Sequence, residues 1–206
     1  MFESLSIKTE TERDWLRDRT SSDQILTLAK TTWENYESLS IEENSGYRIS
    51  FLDNEITIVS PSKNHEKVAQ IINILVYLYC SKFNGKYFSL GSADIKKEFV
   101  AGKQPDCSFC FDKEKDIPDL AVEVNYTSGS IKDLEKYRLL NVPEVWIWQN
   151  DTITFYRLED NQYSKQSKSS NLNNLKSDFL GEYISRGLVE DILAIAEDFS
   201  GELKDS

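Results

Sequence analysis

Two acids stand where they could do chemistry. Asp106 opens the segment Asp106-Cys-Ser-Phe-Cys-Phe111, and Glu123 sits inside Asp119-Leu-Ala-Val-Glu-Val-Asn125, an apolar run that otherwise reads as a buried strand. Alternation on the first strand puts Asp106, Ser108 and Cys110 on one face and Cys107, Phe109 and Phe111 on the other. On the second strand Ala121, Glu123 and Asn125 share a face, opposite Leu120, Val122 and Val124. Sequential strands are usually neighbours, so the two carboxylates are expected to converge. Converging, partly buried carboxylates repel each other and lose hydration, and a bound cation relieves both costs. Hard oxygen donors with no His/Cys cluster beside them point to Mg²⁺ or Mn²⁺. Such an ion activates water and stabilises charge at a phosphate, which is the chemistry of phosphodiester hydrolysis. A glutamate at the rim of a sheet is the alternative that the pattern leaves open.

Cys107 and Cys110 form a C-x-x-C pair, the only spacing that raises a redox or zinc site. In a strand, positions i and i+3 point to opposite faces, so two packed thiols are expected instead. The other cysteine, Cys80, leaves the set one short of a four-cysteine zinc site.

Composition narrows the classes further. The chain has 206 residues, 39% of them hydrophobic, enough for one ordinary core. The expected organisation is a flexible arm over 1–22, a single domain over 23–199 and a polar tail over 200–206. There is no signal-peptide pattern and no apolar run long enough to span a bilayer, so a soluble cytoplasmic protein is expected. A net charge of −11 argues against binding nucleic acid by bulk attraction, but the charge is uneven: −6 over 1–61, +4 over 62–103 and −9 over 104–206. The basic middle reads either as a phosphate-facing patch or as a solvated surface.

The elements that must position these groups follow from periodicity. Asp23 is expected to cap a helix through Ile25, Leu28, Ala29 and Trp33. Asp53-Asn54 marks a hairpin between 47–51 and 55–59. Ser60-Pro61-Ser62 breaks the strand and caps a long helix from His65 to about Asn84-Gly85. Extended segments over 86–90, 93–99, 107–111 and 119–125 precede a short helix from about Ser130 to Leu140, stopped by Asn141. Strands 145–148 and 152–156 join through Asn150-Asp151, with Tyr163 in a further one, and two amphipathic helices span roughly 178–185 and 188–199. Trp146 and Trp148 alternate within a strand and read as core rather than as stacking platforms. The order is that of an α/β or α+β sheet protein.

Pro105-Asp106, then Glu123 in Pro118-Asp-Leu-Ala-Val-Glu-Val124, then Tyr137 before Val142-Pro-Glu-Val-Trp-Ile-Trp148 resembles the Uma-two family of restriction endonucleases, within the PD-(D/E)xK nuclease superfamily. The likeness runs from about Tyr47 to Leu180 and includes Ser60-Pro-Ser followed by His65-Glu66. It implies an α/β restriction-endonuclease-like fold, a mixed β-sheet core flanked by helices. It also implies a divalent metal at Asp106 and Glu123, assisted by Glu66, with DNA as substrate and, by analogy, a homodimer that cuts two strands. The superfamily's lysine two residues after the second acid is replaced by Asn125, which can orient water but supplies no cation. The family's alternative lysine, four residues before the tyrosine matching Tyr137, is replaced by Asp133. Lys132 and Lys136, one turn apart, are left as the candidate cations. Losing one preorganised stabiliser of charge costs about 10²–10³ in rate, so a degenerate, non-cleaving binding module is the rival reading. His65 is expected to orient the site acid or meet phosphate, and Gln104 to hydrogen-bond a ligand or water. Glu144 matches the family pattern with no derivable role beyond a structural hydrogen bond.

Overall fold

The computed structural model describes residues 22–41, 46–125, 130–173 and 175–203, with the backbone alone at 41 and 130–132. The chain runs through β1 (Gln24–Ala29), α1 (Trp33–Ile41), β2 (Arg48–Leu52), β3 (Glu55–Ser60), α2 (Lys63–Lys82), β4 (Tyr87–Ser89), β5 (Ile95–Lys97) and β6 (Ala101–Lys103). It continues through β7 (Cys107–Phe111), β8 (Leu120–Asn125), α3 (Ser130–Leu139), β9 (Glu144–Gln149), β10 (Thr152–Glu159), β11 (Gln162–Gln166), α4 (Ser177–Gly187) and α5 (Ile192–Glu202).

Short polar pairs make the hairpins. Asp53-Asn54, Asn150-Asp151 and Asp160-Asn161 all have both residues at positive φ, between 48° and 60°, which two-residue turns of the I′ type require. They join β2 to β3, β9 to β10 and β10 to β11. Ser62 caps α2 by accepting from the His65 amide, and Asn84 beyond its far end has φ 52°. Asn141, at φ 59°, stops α3 in the same left-handed way.

The strands form two sheets. One is antiparallel, in the order β1-β3-β2-β6-β5. The other, β11-β10-β9-β8-β7-β4, is mixed, because α3 crosses over between β8 and β9 and leaves that pair parallel. One face of the mixed sheet carries Val122, Val124, Trp146 and Trp148 against Val68, Ile72 and Leu75 of α2, with α4 and α5 completing that layer. Ala121, Val145 and Ile147 of the other face pack with Tyr137 and Leu140 of α3 and with Ile95 and Ala101 of the second sheet. Glu123 shares the Ala121 face of β8 and therefore lies where the two sheets meet.

Several expectations change. Residues 24–29 are strand, not helix: Gln24 pairs with Ser60 and Ala29 with Glu55. Leu26 and Leu28 turn towards the core while Ile25 is exposed. A six-residue apolar run satisfies either period, and the open edge of β3 decides between them. The helix starts at Trp33 instead, with Thr32 and Asn35 exchanging side chain and amide bonds. The fold is of the expected mixed α/β type, and among the described residues an antiparallel sheet stands beside the mixed one. Residues 200–202, expected in the tail, are helical. The expected arm, apart from Ser22, lies outside the described residues, as does the tail from 204. Among the described residues no helix is long and apolar enough to cross a membrane.

Gly102, in β6, lies beneath the buried Tyr36 ring of α1, and a Cβ there would overlap the ring. Gly102→Ala is expected to lower stability by about 1–3 kcal/mol, read as a lower urea midpoint. An unchanged midpoint would contradict this packing.

Candidate active site

β7 and β8 are antiparallel, with Cys107 opposite Val122. Asp106 immediately precedes that pairing, and its side chain and that of Glu123 line the same cavity. Asp106 is tied down twice, its amide donating to the Val122 carbonyl at 3.1 Å and its Oδ2 accepting from the Val124 amide at 2.7 Å. Both acids are buried, Asp106 at 7% exposure and Glu123 at 4%. They line a cavity of about 180 Å³ together with His65, Lys103, Asn125 and Lys136.

Buried acids need counter-charges, and four elements supply them. His65, from the first turn of α2, sits between two carboxylates: Nδ1 is 3.0 Å from Asp23 Oδ2, and Nε2 makes ion-pair contact with Asp106 Oδ1 at 2.7 Å. Arg48, from β2, brings Nε to 3.4 Å from Asp106 Oδ1 and Nη2 to 3.4 Å from Glu66 Oε1. Lys103, at the end of β6, places Nζ 2.8 Å from Glu123 Oε2 and 3.4 Å from Asp133 Oδ1. Lys136, from α3, reaches Ser50 Oγ at 2.9 Å and Asp133 Oδ1 at 3.3 Å. The Tyr137 hydroxyl donates to Glu123 Oε1.

These contacts separate the pKa values. Burial pushes Glu123 up to about 7, aided by Asp106 and Asp133 and opposed by Lys103. Burial acts the same way on Asp106, but His65, Lys103 and the Val124 amide outweigh it and hold that carboxyl below its ordinary value. For His65 burial favours the neutral ring, yet Asp106 and Asp23 prevail and raise it to about 10, so the ring is an imidazolium at neutral pH. Lys103 is likewise raised against its burial by Asp133, Glu123 and Asp106. Lys136 goes the other way, lowered by burial and by Lys103.

The sequence-based candidates are distributed unevenly around this cavity. Asp106, Glu123, His65, Asn125 and Lys136 line it. Asn125 Nδ2 is buried with no protein partner, a free donor at the cavity wall. Lys136 turns to Ser50 and Asp133 rather than to the acid pair. Glu66 is not in the lining; its carboxylate is 39% exposed and faces Arg48. Gln104 is used on the backbone instead, its Oε1 accepting from the Ile49 amide at 2.9 Å. The Lys132 side chain lies outside the described residues. Sequence reasoning missed Asp23, Arg48, Lys103 and the Tyr137 contact, and took Asp133 only as a lost lysine. A lysine ending the buried triplet Ala101-Gly102-Lys103, three residues before Asp106, is the one signal that was there to read.

Glu144 acts at a distance from the cavity. It accepts from Trp146 Nε1 at 2.6 Å and from the Ser170 and Asn171 amides at 2.9 and 3.1 Å, pinning that loop to β9. Cys107 belongs to the α2 side of the sheet, whereas Cys110 Sγ contacts the Lys115 carbonyl at 3.6 Å. The two thiols do not share a site.

The donor set was tested for a divalent cation. Each carboxylate oxygen of Asp106 and Glu123 already meets a protein donor, but an ionised carboxylate offers about four acceptor positions. Asp106 Oδ2 and both Glu123 oxygens each have one protein donor, so they keep acceptor capacity. The pair thus fits a hard cation held by two acids. It provides no third acid: among the described residues, no group of three His, Cys, Asp or Glu is placed to hold a metal ion.

The His65 imidazolium gives a pH signature. Its folded-state pKa of about 10 exceeds the ordinary 6.5, so its stabilising contribution is complete below about pH 6.5 and lost as pH rises towards 10. Unfolding free energy is expected to fall across that window by up to about 1.4 kcal/mol per pH unit. In His65→Gln the slope between pH 7.5 and 9, above the range in which Glu123 titrates, should disappear from urea titrations. Equal slopes in both proteins would refute the charged ring.

Comparison with known proteins gives three results. Compared with curated proteins, the chain matches none. Among solved structures it is similar to a "putative nuclease belonging to DUF820" from Anabaena variabilis, with a TM-score of 0.51 and 13% identity over 74% of this chain and 98% of that one. That likeness shows a shared fold. The Uma2 family model, described as "Putative restriction endonuclease", matches residues 33–186, a span holding Asp106, Glu123 and all the cavity's cations, and the chain belongs to that family.

Proposed function

We propose that this chain is a divalent-metal-dependent endonuclease that hydrolyses DNA phosphodiester bonds. The observation that carries the reading is the convergence of Asp106, at the start of β7, and Glu123, in β8, on the wall of one cavity. Those two side chains would hold a Mg²⁺ or Mn²⁺ ion, which when bound supplies an activated water and charge neutralisation at the phosphate. The chain's own groups prepare the ground. His65 and the Val124 amide fix the Asp106 carboxylate, and Tyr137 and Lys103 fix that of Glu123. Asn125 Nδ2 faces the cavity as a donor for a substrate oxygen or a water. Glu66, outside the cavity, acts through Arg48. The basic stretch 62–103 gives a negatively charged strand a locally favourable approach. A homodimer would bring two sites to the two strands of a duplex.

A second reading, a nuclease fold that binds DNA without turnover, is favoured by one observation: protein cations and donors already engage every oxygen of the acid pair. Supercoiled plasmid with Mg²⁺ or Mn²⁺ separates the two. Hydrolysis predicts nicking by the wild type that falls by about 10²-fold or more in Asp106→Asn and in Glu123→Gln. It also predicts calorimetric metal binding that Asp106→Asn abolishes. DNA retained in a gel shift with no nicking under either metal would establish the second reading instead.

A further inference from the structure

The geometry points to Lys103 as the cation that meets the scissile phosphate, delivered by β6 of the five-stranded sheet and held in place by Asp133. The inference rests on the hydrolytic reading above. Among the described residues three cationic side chains other than Lys103 reach the cluster, each bonded to groups other than Glu123. Arg48 bridges Asp106 and Glu66, His65 bridges Asp106 and Asp23, and Lys136 is bonded to Ser50 and Asp133. Among the described residues Lys103 is the cation in contact with Glu123, at 2.8 Å, and its ammonium lies in the cavity wall beside both acids.

Its position is fixed from two directions. Lys103 and Asp106 are three residues apart, joined by Gln104-Pro105, and Gln104 is locked to Ile49 by its amide and its side chain, at 3.1 and 2.9 Å. The residues before it, Ala101 and Gly102, are buried in the strand, so the short stem before Asp106 has little freedom. At the other end, Asp133 holds the ammonium at 3.4 Å. Removing the ammonium would strand Glu123 and Asp133, and with it in place the cavity wall beside the acid pair carries a fixed positive charge that can meet a negative group entering the cavity.

A phosphodiester supplies that group. In hydrolysis a water oxygen forms a bond to phosphorus and one P–O ester bond breaks. One water proton ends on the departing alcohol and the other is shared by the phosphomonoester and solvent. Lys103 stays protonated throughout, and its role is charge at a non-bridging oxygen as negative charge builds there. Asp133 is then a positioning residue.

The experiment needs variants and a binding readout. In wild-type protein carrying ¹⁵Nζ-lysine, an uncleavable phosphorothioate oligonucleotide with Ca²⁺ should shift the Lys103 ammonium signal, assigned by its loss in Lys103→Met. Lys103→Met should nick plasmid about 10²–10³-fold more slowly than wild type, while calorimetry shows metal binding retained. Lys103→Ala should recover nicking on addition of ethylammonium, which a purely structural loss would not allow. An unmoved Lys103 signal, or wild-type nicking by Lys103→Met, overturns the assignment and leaves the nuclease reading standing. A wild type that nicks under neither metal removes both.

Discussion

Two carboxylates brought to one cavity from the start of β7 and the middle of β8, away from water, set the problem that the surrounding residues answer. Like charges brought together in a medium of low dielectric repel, and each also loses its hydration. The structure meets this with an imidazolium on one acid, an ammonium on the other and a guanidinium at the edge. The two acids receive different treatment. Asp106 is held as an anion by His65 and a backbone amide, whereas Glu123, deeper and beside Asp133, is pushed towards the neutral form. A pair poised in this way gains most from added positive charge at the glutamate.

The counter-charges explain why two sheets are needed. Asp106 and Glu123 belong to the mixed sheet, but Arg48, Ser50 and Lys103 come from the second sheet, and Asp133, Lys136 and Tyr137 from the crossover helix α3. The apolar contact of Ile95 and Ala101 with the Ala121 face brings them within reach. Packing and electrostatics are therefore linked: a shift of the second sheet by an ångström or two would strand buried charges, which is strongly unfavourable. Gly102 beneath Tyr36 shows how closely β6 is held.

Two residues of the family pattern have separate uses. Glu144 and its partner Trp146 serve the loop at 169–172, and the tryptophans fill the α2 side of the sheet. The resemblance therefore joins residues of the site with residues of the scaffold, and burial with hydrogen-bond partners tells them apart.

Local patterns carried much of the fold and half of the site. Turn pairs such as Asp53-Asn54, the Ser62 cap, the α2 periodicity and the alternation placing Asp106 and Glu123 on one face are short-range properties, fixed by backbone sterics and by the period of two or 3.6. Residues 24–29 were misread because a short apolar run fits both periods, and a sheet edge far along the chain chose between them. Gln104 reads as a site residue through its nearness to Asp106 in sequence and Glu66 through the family resemblance, yet they turn to Ile49 and Arg48. Lys103 was passed over because its value lies in a contact with Glu123, twenty residues away and in the other sheet. The sequence by itself determined which acids exist and which way their strands point, since those follow from neighbours one or two residues off. Which cations neutralise them was decided only by tertiary structure, because a Coulomb interaction depends on distance through space and the chain does not record that distance.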